Sequence, residues 1–488
     1  MSSPRAASSP ASRLEPGANV DKPNSEKLGA DKLLIANRGE IARRVIRTCR
    51  LRGIATVAVY SEADAGAAHV ADADEAYAIG KPRAQDSYLV ADRLIEVAKQ
   101  SGAGLIHPGY GFLSENAAFA RAVVDAGLIW VGPAPASIEL MGDKSRAREA
   151  AAAAGVPVVP GSTRFVKGNL AGLDEAARAV GFPLLVKAVA GGGGIGMRRV
   201  DSPDKLAEMV AATQSMAAKA FGDGALYLER FIPRARHVEV QVLGDGRGAA
   251  IHLFERDCSL QRRFQKVIEE SPAPGLPASL TDQMAATAVA LARATSYAGA
   301  GTVEYIVDAE TLDFYFLEMN TRIQVEHPVT EMLTGTDLVA SQIDIALGRH
   351  PPLDQSATSR SGAAIECRLY AENPARKFLP SPGRLTTFRL PPETPDLRID
   401  SGFREGDEVT PYYDPLIAKI ITRGATRDEA RLRAVAALGA IQIEGIKSNR
   451  DFLIACLTDP VFAAGDVWTG FIESRIEQLL ASAAARAT

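Results

Sequence analysis

Cysteine is scarce in this chain and scattered. Cys49, Cys258, Cys367 and Cys456 form no Cys-x-x-Cys pair, so neither a zinc site nor a disulfide framework is indicated, and isolated thiols suit a reducing, cytoplasmic compartment. Long apolar runs are missing too: nothing approaches the ~20 residues a membrane helix needs. Charge of one sign is not in excess, because 55 Lys and Arg face 59 Asp and Glu for a net charge of −4. That balance argues against a surface given over to nucleic acid and leaves room for a local cationic pocket. Two nucleotide signatures are also absent. The turn Asn37-Arg38-Gly39-Glu40 after the first apolar strand lacks the Gly-x-Gly-x-x-Gly fingerprint, and the glycine-rich loop further on is not followed by Gly-Lys-Ser/Thr. A dinucleotide-binding domain is therefore poorly supported, and a P-loop is excluded.

What is present divides the 488 residues into segments of different character. Residues 1–31 are rich in Ser, Pro, Ala and Gly without hydrophobic period and read as a disordered tail. Residues 32–143 alternate short apolar strands with helical periods, beginning Leu33-Leu34-Ile35-Ala36. This pattern predicts an α/β domain with a parallel sheet wrapped by helices. Residues 144–361 and 362–480 follow as a second and a third unit, with an Ala-rich helix near 427–440.

The second unit opens with Lys144, at a helix start that Asp143 is placed to cap. Within it, Pro183-Leu184-Leu185-Val186-Lys187-Ala188 is an apolar strand carrying one lysine. It runs into Gly191-Gly192-Gly193-Gly194-Ile195-Gly196, five glycines in six positions. Without Cβ atoms such a loop can fold its backbone N–H groups around phosphate oxygens and hinge as a lid, here spanning about 160–232. Strand 225–232 follows, where backbone groups could read a base edge between apolar side chains. The run Glu255–Lys266 then packs four cations and two acids into twelve residues. It reads as a solvated face or as an anion site.

The most informative stretch is Phe314–Pro328. An aromatic strand passes into an apolar/polar alternation that would put Glu318, Asn320, Arg322, Gln324 and Glu326 on one face if extended geometry held throughout. A second strand, Thr302–Val307, lies upstream across a short polar turn. A hairpin centred near Thr311 sets Glu304 opposite Glu318, with Cβ atoms about 5 Å apart. Two carboxylates so close call for a cation between them, and magnesium suits hard oxygen ligands beside phosphates.

Together these residues resemble biotin carboxylase, the ATP-grasp component of biotin-dependent carboxylases. The resemblance is carried by Lys32–Ala42, His107–Asn116, Met141–Lys144, the lysine–glycine lid, Arg236–Val242, Glu255–Lys266, Glu318–Thr330, Glu366-Cys367-Arg368 and Pro411–Asp414. It implies an ATP-grasp fold: a Rossmann-like N-terminal domain, a mobile lid and a C-terminal antiparallel-sheet subdomain. It further implies that ATP phosphorylates bicarbonate and that carboxyphosphate delivers CO2 to biotin. In that reading Glu304, Glu318 and Asn320 hold Mg2+ or Mn2+. ATP is bound by Lys144, Lys187, Gly192, Gly193, Gly194, Gly196, Met197, Glu229, Arg230, Phe231, Ile232, His237 and Gln261, with Glu304 and Glu318. His237 and Gln261 are expected near the ribose. Bicarbonate lies among Lys266, Arg322, Gln324, the Val325 backbone and Glu326, with Glu326 as general base, and Arg322 and Arg368 place biotin. Ala190, Ile195 and Phe264 depart from the commonest pattern, and the Gly-Ile-Gly lid is similar to that of urea carboxylases. No Ala/Val-Met-Lys-Met biotinylation motif occurs, so biotin is expected on a separate carrier protein working with a carboxyltransferase subunit of an acyl-CoA type enzyme. The resemblance also suggests a homodimer, and neither nucleic acid nor membrane is an expected partner.

Overall fold

The computed structural model describes residues 31–189 and 196–486. The expected tail and the glycines Gly192, Gly193 and Gly194, with Ala190 and Ile195, lie outside the described residues. The first sheet is parallel, with strands β1 (Lys32–Ile35), β2 (Ala55–Ser61), β3 (Glu75–Gly80), β4 (Leu105–His107) and β5 (Ile129–Trp130) in the order β3-β2-β1-β4-β5. Its central strand is apolar on both faces because both faces are covered. Leu33 and Ile35 pack with Ile41 and Val45 of the helix Gly39–Leu51, whereas Leu34 and Ala36 face a second core with Ile106 and Phe119. The order reverses between β1 and β4, so a crevice opens beyond their C-terminal ends, where ligands of open α/β sheets bind. Asn37 ties the two strand ends together, its amide donating to the carbonyls of Pro108 and Tyr110, each at 2.7 Å. Gly109, at φ +62°, passes so close that a Cβ there would meet the Asn37 amide at 2.9 Å. Strand β3 was not foreseen from the sequence; its Glu-Ala-Tyr-Ala-Ile-Gly is only partly buried.

A small antiparallel sheet follows, β6 (Leu184–Ala188), β7 (Met197–Val200) and β8 (Leu226–Arg230), in the order β7-β6-β8. It has its own core of Phe165, Leu173, Val180, Leu184, Val186, Leu226 and Leu228.

The largest sheet among the described residues has eight strands. In chain order they are β9 (Ala235–Asp245), β10 (Ala250–Arg262), β11 (Gln265–Ser271), β12 (Ala298–Asp308), β13 (Phe314–Asn320), β14 (Ala363–Tyr370), β15 (Leu397–Ser401) and β16 (Leu416–Gly424). Their spatial order is β13-β12-β9-β10-β11-β14-β16-β15, and each adjoining pair is antiparallel. The antiparallel strands after residue 362 thus extend the central sheet through the β11–β14 ladder. Helices Arg427–Ala440, Arg450–Thr458 and Phe471–Arg486 seal that end over Ile365, Cys367, Ile417 and Ile420.

Candidate active site

The register of the large sheet makes the site. Glu239 on β9 is paired with Glu304 on β12, which is paired in turn with Glu318 on β13. Three carboxylates thus stand side by side across adjacent strands, an arrangement that is unfavourable without a compensating cation. One cation is supplied by β11. The Lys266 ammonium donates to Glu239 at 2.6 Å, to Glu304 at 2.9 Å and to Glu326 at 2.6 Å, so each of its three protons has an acceptor. Burial works against that charge, but the three carboxylates override it and hold the ammonium well above its ordinary value. Burial likewise tends to raise Glu304 and Glu326. Lys266 reverses this in both, aided at Glu326 by Arg368 and Arg256, and both are held well below the usual carboxylate range.

Glu318 is the exception. It has no ion-pair or hydrogen-bond partner among the described residues, and burial together with Glu304 pushes its carboxyl up. A carboxylate left over beside Glu304 fits a hard divalent cation. In the same row the Asn320 amide nitrogen donates to Glu304 at 2.9 Å, while its oxygen accepts from Arg322. His237 joins the row: its Nε2 lies 3.1 Å from Glu304 and its Nδ1 meets Gln261 at 2.9 Å. Burial opposes protonation of this ring, but Glu304 outweighs it and raises the imidazole.

β13 ends at Asn320, and the extended alternation expected through Glu326 stops there. Residues 321–326 form a loop, and Glu326 occupies the cap position of the helix His327–Thr334, with Pro328 in its first turn. The loop converges its polar groups by folding back. Arg322 donates to Glu115 (2.9 Å), Gln324 (2.9 Å) and Asn320 (2.8 Å). Gln324 donates to Glu304 at 2.9 Å, and the Val325 carbonyl accepts from Lys419 at 2.8 Å. Glu326, fully buried, has one oxygen on Lys266 and the other on Arg368 at 2.9 Å.

These groups line a cleft of about 1710 Å³ that gathers residues of the small and the large antiparallel sheets and of the segments that follow β1 and β4. Lys144, Lys187, Met197, His237, Gln261, Lys266, Glu304, Glu318, Asn320, Arg322, Gln324, Val325, Glu326 and Arg368 all border it. On its upper side Lys144 begins the helix Lys144–Ala153, which Asp143 caps as expected. Lys187 on β6 is paired to Glu229 at 2.7 Å. Burial disfavours the Lys187 charge, but Glu229 more than restores it.

One expectation is corrected here. The Glu255–Lys266 run is no solvated face, since Glu255, Arg256 and Asp257 are buried. Each is matched to a partner distant in sequence, as in Arg256 on Glu239 and Arg236 on Asp257. His237 is turned to Glu304 and Gln261 towards His237. Glu229 serves Lys187 and Arg148, while Arg230, Phe231, Ile232 and Gly196 do not border the cleft. Phe264 stands exposed at the cleft rim in the tight turn between β10 and β11, where Arg263 and Phe264 both have positive φ.

Glu239, Glu115 and Tyr110 were missed. Glu239 carried a signal, because His237, Glu239 and Gln241 alternate with Val238, Val240 and Val242 at strand period. Glu115 and Tyr110, whose hydroxyl donates to Glu40, come from the first domain, and their one signal was that they lie in the stretch His107–Asn116.

Family models match the chain in three consecutive blocks. They are the biotin carboxylase N-terminal domain over residues 29–138, the carbamoyl-phosphate synthase L chain ATP-binding domain over 143–354, and the biotin carboxylase C-terminal domain over 366–474. Biotin carboxylase 1 of Bacillus subtilis is 50% identical over 443 residues, covering 91% of this chain and 98% of that protein. The chain belongs to the biotin carboxylase family. It is accordingly an ATP-dependent ligase with an ATP-grasp fold. The alpha subunit of mouse mitochondrial methylcrotonoyl-CoA carboxylase is 49% identical over 451 residues, 92% of this chain and 63% of that protein. Among solved structures, the biotin carboxylase domain dimer of Hydrogenobacter thermophilus 2-oxoglutarate carboxylase, in complex with MgADP, ADP and bicarbonate, superposes with a TM-score of 0.85. It is 44% identical and covers 92% of this chain and 98% of its own.

Proposed function

We propose that this biotin carboxylase carries out the first half-reaction of a multisubunit acyl-CoA carboxylase, carboxylating biotin on a separate carrier protein at the expense of ATP and bicarbonate. One observation carries the reading: Glu326 is buried and held between Lys266 and Arg368, in the same cleft as the carboxylate row and Lys187. Lys144 and Lys187 hold the nucleotide phosphates. Glu304, Glu318 and Asn320 would hold magnesium or manganese, which supplies charge neutralisation between the terminal phosphates.

Bicarbonate, a small planar anion, suits the Arg322 fork with Lys266, Gln324 and the Val325 backbone around it. Glu326 takes the bicarbonate proton as a bicarbonate oxygen attacks the γ-phosphorus and ADP leaves. The carboxyphosphate so formed passes its carboxyl to N1′ of biotin, and the departing phosphate takes the N1′ proton as the N–C bond forms. Arg322 steadies the negative ureido oxygen, and Arg368 helps place the ring.

The acyl-CoA acceptor is supported by the mouse methylcrotonoyl-CoA carboxylase relative, the homodimer by the Hydrogenobacter domain dimer, and a reducing cytoplasm by four free, buried thiols. No helix among the described residues is long and apolar enough to cross a membrane. The test is ADP release with free biotin. Hydrolysis that requires bicarbonate and rises with biotin supports the reading; turnover indifferent to both, or driven by an amine without bicarbonate, rejects it.

A further inference from the structure

Beneath the cleft floor lies a second carboxylate pair that the reaction does not use. Glu269 on β11 and Glu366 on β14 are direct register partners, and both are completely buried. Glu366 shares its sheet face with Arg368 and Ala364. That face is roofed by the helix His327–Thr334, whose Val329 and Leu333 pack on Ala364. None of the four carboxylate oxygens has a hydrogen-bond partner among the described residues. Glu269 lies 2.6 Å from Arg368 Nε in an ion pair, while the far edge of the same guanidinium reaches Glu326 at 2.9 Å. Lys419 on β16, which also acts on Glu366, is already taken up by the Val325 carbonyl and by Glu40 at 3.2 Å.

We propose that Glu269 is a positioning residue for Arg368 and that Glu366 beside it stands neutral, so that the pair presents one negative charge to the guanidinium. The proposal rests on the biotin carboxylase reading of Arg368 and Glu326. Glu269 has the Arg368 guanidinium at 2.6 Å, whereas Glu366 has neither a hydrogen bond nor an ion pair among the described residues. Two buried negative charges side by side over one guanidinium are not sustainable, and the one without a partner neutralises. Burial drives Glu366 far up; Lys419 and Arg368 lower it, and Glu269 and Glu326 raise it further. Burial lifts Glu269 to about 7 against the pull of Arg368 and Lys266, with Glu326 and Glu239 adding to the rise. With Glu269 ionised, Arg368 is held at Nε and gives Glu326 a single hydrogen bond. With Glu269 protonated, the guanidinium is drawn wholly to Glu326 and weakens it as a base.

The experiment combines kinetics with infrared spectroscopy on the full chain. Glu269→Gln is expected to raise KM for free biotin roughly 10-fold, the scale of a lost hydrogen bond to a charged group, while KM for ATP stays unchanged and the acid limb of the pH profile near 7 disappears. Glu269→Asp should recover part of the loss. A protonated-carboxyl stretch should persist well above pH 7, where Glu269 is ionised, and vanish there in Glu366→Gln. Equal changes in both KM values, or no protonated-carboxyl band, overturn the proposal. If Glu269→Gln does not fold, Glu269→Asp and the infrared band decide alone. A wild-type chain indifferent to bicarbonate defeats the functional reading separately, because the infrared result does not depend on turnover.

Discussion

Two regions of this molecule are dense in buried charge, and they are built differently. Behind the cleft, Arg44 on the helix Gly39–Leu51 pairs with Glu331 at 2.7 Å and with Asp337 at 2.8 Å. Arg398 on β15 pairs with Glu331 at 2.7 Å and with Asp400 at 2.6 Å. Every carboxylate there faces a cation, and this network joins the first domain to the last strands of the large sheet. None of its members borders the cleft. The cleft floor uses the same residue types but leaves Glu318 unpaired among the described residues and suspends three carboxylates from one lysine. The difference teaches that buried charge alone does not mark a site. What marks this one is charge imbalance opening into a cavity, and the matched network is scaffold.

Breaking the imbalanced region at its base should give the largest effect on turnover. Glu326→Gln removes the proton acceptor but keeps the shape and neutral hydrogen bonding, and bicarbonate-dependent ADP release should fall by roughly 10²–10⁴-fold. The variant also leaves Lys266 and Arg368 facing a neutral partner, so its unfolding temperature should fall, and turnover is read per folded molecule. Residual activity within threefold of wild type would remove Glu326 from the proposed role.

Breaking the matched region should do the reverse. Glu331→Gln leaves Arg44 and Arg398 buried with a neutral partner, and loss of one member of such a pair costs about 3–5 kcal/mol. Burial tends to raise Glu331, but Arg44 and Arg398 outweigh it and depress the carboxyl. A depressed carboxyl contributes stability above its ordinary unfolded value and loses it as pH falls through the folded one. The gap between wild type and variant in urea unfolding should therefore be widest near neutrality and narrow in acid, with turnover per folded molecule little changed. A gap that widens in acid would reverse the assignment.

How much of this contrast the sequence could reveal depended on range. Glu304 facing Glu318 was readable because an aromatic strand, a short polar turn and a second strand fix a hairpin register locally. The break after Asn320 was overrun because Arg322, Gln324 and Glu326 keep a two-residue period while folding back as a loop. Pro328, a first-turn helix residue, was the signal to stop. The burial of residues 255–261 could not be recognised, since the partners that neutralise this stretch, such as Glu239, lie many residues away. The scaffold network was invisible for the same reason: Arg44 and Glu331 are 287 residues apart. Parallel order in the first domain followed from alternating strands and helices, yet the union of the last strands with the central sheet rests on the β11–β14 ladder, which no local pattern announces.

The smallest effect sharpens the comparison most, because it asks whether the site carries a stability penalty that the scaffold does not. Lys144 is exposed at the first position of its helix, where a positive charge opposes the helix dipole. It borders the cleft on the side of Lys187. If it is there for phosphate, Lys144→Ala should raise KM for ATP severalfold and at the same time stabilise the fold by about 0.3–1 kcal/mol, the dipole term relieved. Urea titration and ATP saturation on one preparation read both signs. A variant that is less stable with unchanged KM would place Lys144 with the scaffold and erase the distinction at that end of the cleft.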